Sequence, residues 1–452
     1  MRDLLVAGIV FGALPFVLSN PHIGVLLWSW IGYMNPHRLG WGFAYNFPFA
    51  LIIAGTVIVS LLVSRKKLDF FWTPAIGWLL LLNIWFLITT IFSLQPEESW
   101  VQWNKVIKIQ FFVFVTLWVM GDRKKIESLI WIIVISIGFY GVKGGIFTLA
   151  TGGAHHVLGP ATSFISGNTE IGLALVMIVP LVWYLFLHTA NKWIRFGLIV
   201  AMLLISIAIL GTQSRGALLA IAAIAFFLWL KSRKKLVPLM AILFMIPFVF
   251  MFMPQQWHER METIKNYEED GSAMGRITAW TFAYKLASAR PLTGGGFESF
   301  NEANYEYYAP GLVNTSVSLH YPDVHSIYFE MLGEQGFVGL AIFLILGLIA
   351  WRTANKIMGL TKQSAADHRW AYDLASMIQV GLVGYAVGGA FLGLSYFDLP
   401  YHFLVILILT SRIVQQQFAT NHQQSRISGI AYQAAINPRR RMVNEARKVQ
   451  NT

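Results

Sequence analysis

Along most of the 452-residue chain, polar side chains are so widely spaced that apolar runs of about 20 residues recur. They lie near 3–19, 45–64, 71–93, 103–120, 126–150, 169–188, 193–210, 215–231, 235–253, 324–350, 370–393 and 400–417. A helix satisfies its own backbone while crossing hydrocarbon, so the pattern predicts an all-α polytopic membrane protein of about twelve transmembrane helices. A further run, His22 to Met34, is short for a span and suits a re-entrant or interfacial piece. The pattern changes between 254 and 323. There "MGRITAWTFAYKLASAR" repeats apolar residues at Ile277, Trp280, Tyr284 and Ala287, which is helical spacing, and "PLTGGGF" (291–297) breaks that helix. One large loop thus predicts a folded helical cap. Pro322 then stops the loop, and Asp323 is the expected N-cap of a helix whose first turn holds Val324, His325 and Ser326. The resulting organisation is N-terminal helices over 1–160, a helical core over 161–253, the cap over 254–323, C-terminal helices over 324–417 and a basic tail over 418–452.

Composition agrees with this pattern. At 56% hydrophobic and 12% charged residues, the chain carries more apolar surface than a soluble core could hide. The first run lacks a small-residue cleavage site and is expected to remain as a membrane helix. The absence of cysteine excludes disulfides and thiolate chemistry. A net charge of +12 does not imply nucleic acid here, because its placement is that of a membrane protein. "SRKK" (64–67), "DRKK" (122–125), "NKWIR" (191–195), "KSRKK" (231–235), 351–369 and the tail with "PRRR" (438–441) fall in alternate loops and hold most of the 34 Lys and Arg. Those loops are expected on the cytoplasmic side, the cap on the opposite side, and both termini in the cytoplasm if 22–34 does not cross.

Candidate chemistry lies at the cap side. Arg215, in "GTQSRGALL", runs against the positive-inside bias, and its guanidinium fork suits a lipid phosphate at the membrane boundary. Arg276 follows Gly275 and opens the cap helix, where the helix N-terminus also attracts anions. Arg290 ends that helix, a position that favours a cation for structural reasons too. Lys105, Lys108 and Lys143 are candidates for substrate contact, although a lysine near a helix end commonly snorkels. His325, at the expected helix start, suits a general base because the positive end of a helix disfavours imidazolium. Glu330 and Glu334, four residues apart, could orient it, pair an arginine or line a hydrated crevice. The run "YEED" (267–270) reads as a solvated turn, "HH" (155–156) as loop, and "TGGGF" lacks the preceding strand of a phosphate loop. No metal or cofactor is expected.

Four stretches together resemble the O-antigen ligase and polymerase superfamily, with the WaaL-like ligases nearest. They are "SGNTEIGLAL" (166–175), "TQSRGALLA" (212–220), "GRITAWTFAYKLASARPLTGGGFESF" (275–300) and "VHSIYFEMLGEQGFVG" (324–339). "NPHRLGWGF" (35–43) is similar to ligase-like proteins of exosortase systems. The resemblance implies an inner-membrane enzyme with its active site on the periplasmic side. The family's catalytic His would be His325 and its two arginines Arg215 and Arg276, with Arg290, Lys143, Lys108 and Glu330 as substrate-binding candidates. The implied donor is a glycan on undecaprenyl diphosphate, the acceptor a sugar hydroxyl of lipid A-core, and transfer inverting and metal-independent. A polymerase or a protein O-oligosaccharyltransferase would share this architecture. A flippase would want charges deep in the spans, which are nearly absent here.

Overall fold

The computed structural model describes residues 1–63, 70–231, 271–313, 321–362 and 366–436. The expected span at 235–253, the "YEED" turn, "SRKK" and "PRRR" lie outside them. Every regular element among the described residues is helical. Eight helical stretches are long and apolar enough to cross a membrane. They are α1 (Arg2–Ser19), α4 (Pro74–Ile91), α6 (Arg123–Ala150), α7 (Asn168–His188), α8 (Lys192–Gly211), α12 (Ile327–Thr361), the stretch Arg369–Phe391 that contains α13 (Arg369–Gly388), and the part of α14 (Asp398–Ile436) up to Thr420. Three further expected runs form α3 (Phe49–Val63), which is shorter, α5 (Pro96–Val119), which carries Glu97, Glu98, Lys105 and Lys108, and α9 (Arg215–Lys231). The centre of the bundle is α7, apolar almost all round and buried on nearly every face by α6, α8, α9 and α13.

The run 22–34, expected to be too short for a span, is helical and is not among the helices long and apolar enough to cross a membrane. It forms α2 (Pro21–Met34), antiparallel to α1 after a turn at Asn20. Ser60 donates to the carbonyls of Val17 (2.8 Å) and Leu18 (3.0 Å), whereas the Asp3 carboxylate accepts from the backbone N–H of Ala44 (3.2 Å). The helix therefore travels the depth of the three-helix layer, about 21 Å at 1.5 Å per residue. Most of α2 is buried against α1, α3, α5 and α6, so protein rather than lipid satisfies it and a full apolar span is unnecessary. Arg2 and Asp3 thus lie beside Ala44, at the opposite end of this layer from Ser19 and Ser60.

The cap has its own small core. Phe282 and Leu286 of α10 (Gly271–Ala289) pack with Tyr305 and Ala309 of and beyond α11 (Glu302–Tyr308), and the rings of Phe282 and Tyr305 stack at 3.8 Å. α10 ends where "PLTGGGF" begins, as the Pro and Gly content requires.

Candidate functional site

Gly336 organises the cap end. It interrupts α12 with φ 70° and ψ −176°, a conformation open in practice to glycine alone. The break makes Ile327–Gln335 a separate short helix and leaves its last carbonyls without intrahelical donors. The glycine turn supplies them: Gly295 N–H donates to Gly333 O and Gly296 N–H to Glu334 O, both at 2.8 Å, while Phe337 N–H returns to Pro291 O at 3.0 Å. Backbones can meet this closely only because side chains are missing. A β-carbon added to Gly336 would lie 2.2 Å from Leu292 O, and one on Gly294 2.5 Å from Gly333 O.

Arg290 belongs to this junction. Its guanidinium donates to Gly294 O (2.6 Å), to Phe92 O and to Thr293 Oγ1 (3.4 Å), tying the end of α10 to the glycine turn and to the end of α4. The fork expected to meet substrate is thus engaged by protein acceptors. The two carboxylates have likewise found partners. Buried Glu334 accepts from Tyr396 OH (2.6 Å) and Glu298 N–H (2.9 Å), and Glu330 accepts from Ser395 N–H (3.0 Å). Gln335 completes the network, donating to Tyr396 OH (3.0 Å) and accepting from Thr89. Both glutamates therefore anchor the loop between α13 and α14 rather than pairing an arginine.

His325 sits just outside the helix. The N-cap is Ser326, not Asp323, and residues 321–326 are irregular. The cause is visible in the bonds of the preceding carbonyls: Tyr305 OH donates to Pro322 O (2.7 Å) and Trp280 Nε1 to Val324 O (3.0 Å), which pins this segment to the cap. Asp323 caps only its neighbour, accepting from Val324 N–H at 2.7 Å. His325 takes φ 39°, in the left-handed region, and is half-buried. Histidine is among the side chains that tolerate that region, at a cost of about 1 kcal/mol.

Trp280 is the hub. Its ring stacks on Phe329 at 5.0 Å and lies 6.3 Å from Phe391. Arg276, one turn earlier on the same face of α10, is half-buried, and its neighbour Gly275 lies by Pro322, whose Cβ would be 3.6 Å from an added β-carbon. α10 begins at Gly271, so Arg276 lies in its second turn, beyond most of the helix-terminus field that the sequence suggested. Half-buried Arg215 opens α9, and Gly216 beside it approaches Phe391 so closely that an added β-carbon would lie 3.3 Å from its Cβ. The preceding turn is held by Gln213, at φ 52°, whose amide donates to Gly153 O (2.9 Å). The segments bearing Arg215, Arg276 and His325 thus meet around Trp280 and Phe391.

The lysines do not join them. Lys108 and Lys143 are exposed on α5 and α6. Lys105, also exposed, acts electrostatically on Glu298. Glu298 is an exposed residue by surface area, yet crowding around its carboxyl desolvates it and, with the charge of Asp323, raises its pKa against the pull of Lys105. No cluster of three or more His, Asp or Glu suited to a metal ion occurs among the described residues. The sequence marks Trp280 only as one apolar position of a helical repeat and gives no role to Phe391, Ser395 or Tyr396. The sole sequence signal for the last two is "SYFD" (395–398), polar and aromatic residues between two apolar helices.

These observations define an all-helical protein with several membrane-length apolar helices, whose cap end gathers the segments of the candidate residues Arg215, Arg276 and His325. Residues 200–344, a segment that contains all three residues, match the O-antigen ligase family, and this match supports an O-antigen ligase-like superfamily member. Residues 1–190 match a family of unknown function. No curated protein matches the chain.

Proposed function

We propose that the protein is an O-antigen ligase, transferring a glycan from undecaprenyl diphosphate to a sugar hydroxyl of lipid A-core at the periplasmic face of the inner membrane. The observation that carries this reading is the convergence of the Arg215, Arg276 and His325 segments on one aromatic hub at the cap end. A donor of this kind keeps its prenyl chain in the bilayer and its diphosphate at the boundary, where the arginines stand. The acceptor oxygen attacks the anomeric carbon, the bond from that carbon to the diphosphate oxygen breaks, and the hydroxyl proton passes to the His325 imidazole. Negative charge grows on the departing diphosphate, and Arg215 and Arg276 stabilise it without changing protonation. One displacement inverts the anomeric configuration, and with guanidinium as the cation the step needs no metal.

Reconstitution tests this. Purified protein with lipid-linked glycan and lipid A-core is expected to place glycan on the core, equally with chelator present. His325→Ala should lower the rate by about 10² to 10⁴, and Arg276→Lys by about 10² because a point charge replaces a fork. Full activity in the histidine variant would remove its role as base, and loss with chelator would remove the metal-free step. Longer glycan on an unmodified core would make the protein a polymerase.

A further inference from the structure

A cavity of about 1070 Å³ lies at the end opposite the cap, among α7, α8, α9, α12 and α13. Its walls are mainly apolar, with Trp183, Met202, Phe227 and Trp351 among them. Two lysines interrupt them: Lys231, at the end of α9, and Lys362, just beyond α12. Lys231 is half-buried, with its ammonium 4.9 Å from the Phe227 ring centre. It donates to Gln379 Oε1 (2.8 Å), Ser376 Oγ (3.1 Å) and Ser376 O (3.3 Å). All three acceptors are neutral, and no carboxylate among the described residues forms an ion pair with it. The acceptors are themselves fixed, since Gln379 Nε2 donates to Asn355 Oδ1 (2.8 Å) and Trp351 O (3.3 Å). A cation is therefore held by three hydrogen bonds, partly desolvated and, among the described residues, without a counter-charge, in a chamber otherwise suited to hydrocarbon. That arrangement is costly unless an anion offsets it.

We propose that this cavity binds an anionic phospholipid of the leaflet on the side opposite the cap. Its phosphate lies between Lys231 and Lys362, and its acyl chains lie on the tryptophan and phenylalanine walls. The apolar wall residues Trp183, Met202, Phe227 and Trp351 distinguish a lipid from a free anion, which would gain nothing from them. The site is remote from the arginines of the cap end and stands or falls independently of the glycan-transfer reading.

The test is native mass spectrometry of the full chain in detergent, offered phosphatidylglycerol or phosphatidylcholine of the same acyl chains, with thermal unfolding measured in parallel. Wild-type protein is expected to retain phosphatidylglycerol at least about fivefold over phosphatidylcholine and to unfold at a higher temperature with it, a preference of the order that one charge contact supports. Inorganic phosphate should give no such rise. Lys362→Gln, at an exposed position, and Lys231→Gln should bring the ratio close to one, while Lys231→Arg should keep it. Equal retention of the two lipids by wild-type protein, an unchanged ratio in Lys362→Gln, or stabilisation by phosphate alone would each overturn the proposal. If Lys231→Gln fails to fold, the wild-type and Lys362→Gln results still decide it.

Discussion

α9 and α13 pack together along their length, yet their two ends are built in opposite ways. At the cap end Gly216 lies against Phe391 at the end of α13, Gln213 is locked in a left-handed turn, and the neighbouring glycine turn and the Gly336 break are joined by backbone hydrogen bonds with no room for side chains. At the far end the same two helices part around a cavity, and what joins them is the long side chain of Lys231 reaching Ser376 and Gln379. Backbone contact fixes positions to a fraction of an ångström because it has no rotamers to sample, whereas a lysine bridge adapts. The difference matches two demands. Chemistry needs arginine and histidine placed in advance, and lipid accommodation needs walls that yield.

The comparison breaks most sharply at Gly336. An alanine there must enter a backbone region that only glycine occupies and place its β-carbon against Leu292 O. Gly336→Ala is expected to cost more than about 3 kcal/mol and to detach the glycine turn from α12. Yield of monodisperse protein and midpoint of thermal unfolding in detergent report it. A near wild-type midpoint would mean that the kink is not a fixed feature.

A pair of truncations of similar size sharpens the contrast. Phe297 is fully buried at the cap end, with its ring 4.8 Å from Tyr396 and 5.6 Å from Phe86. Met358 lines the far cavity and is only partly buried. Phe297→Ala should cost about 3 to 5 kcal/mol, and Met358→Ala less than about 1, since the methionine already borders open space. Equal losses in a denaturant titration would show the two ends to be equally packed.

Much of this was readable in the sequence, and the failures share a physical cause. Apolar runs and Pro-Gly punctuation locate the helices and the end of α10, because those signals are local. The burial of α2 was hidden because the helices that cover it, α1, α3, α5 and α6, are set by tertiary packing rather than by its own sequence. Asp323 lost its expected cap because Tyr305 and Trp280, 18 and 43 residues earlier, claim the carbonyls beside it. Arg290 presents the same lesson: its residue type suits an anion, but the carbonyls of Phe92 and Gly294 reach it first. The types and positions of Arg215, Arg276 and His325 make them candidates from sequence, whereas the tryptophan that gathers their segments looks like one more apolar residue on a helical face.

His325 offers the smallest energetic effect and the most informative one. Its φ of 39° costs a side-chain-bearing residue about 1 kcal/mol and costs glycine little, so His325→Gly should stabilise the fold by up to about 1 kcal/mol, less the extra entropy of a glycine in the unfolded chain. His325→Ala keeps the strain and loses only the ring. If the left-handed conformation exists to aim the imidazole, both variants lose glycan transfer while their stabilities move apart, with glycine above wild type and alanine at or below it. A structural histidine would give another pattern, with both variants destabilised and transfer falling only as the folded fraction falls. Thermal midpoints and transfer rates measured on the same preparations separate the two, and a glycine variant less stable than the alanine variant would show that the strain is not borne at this residue.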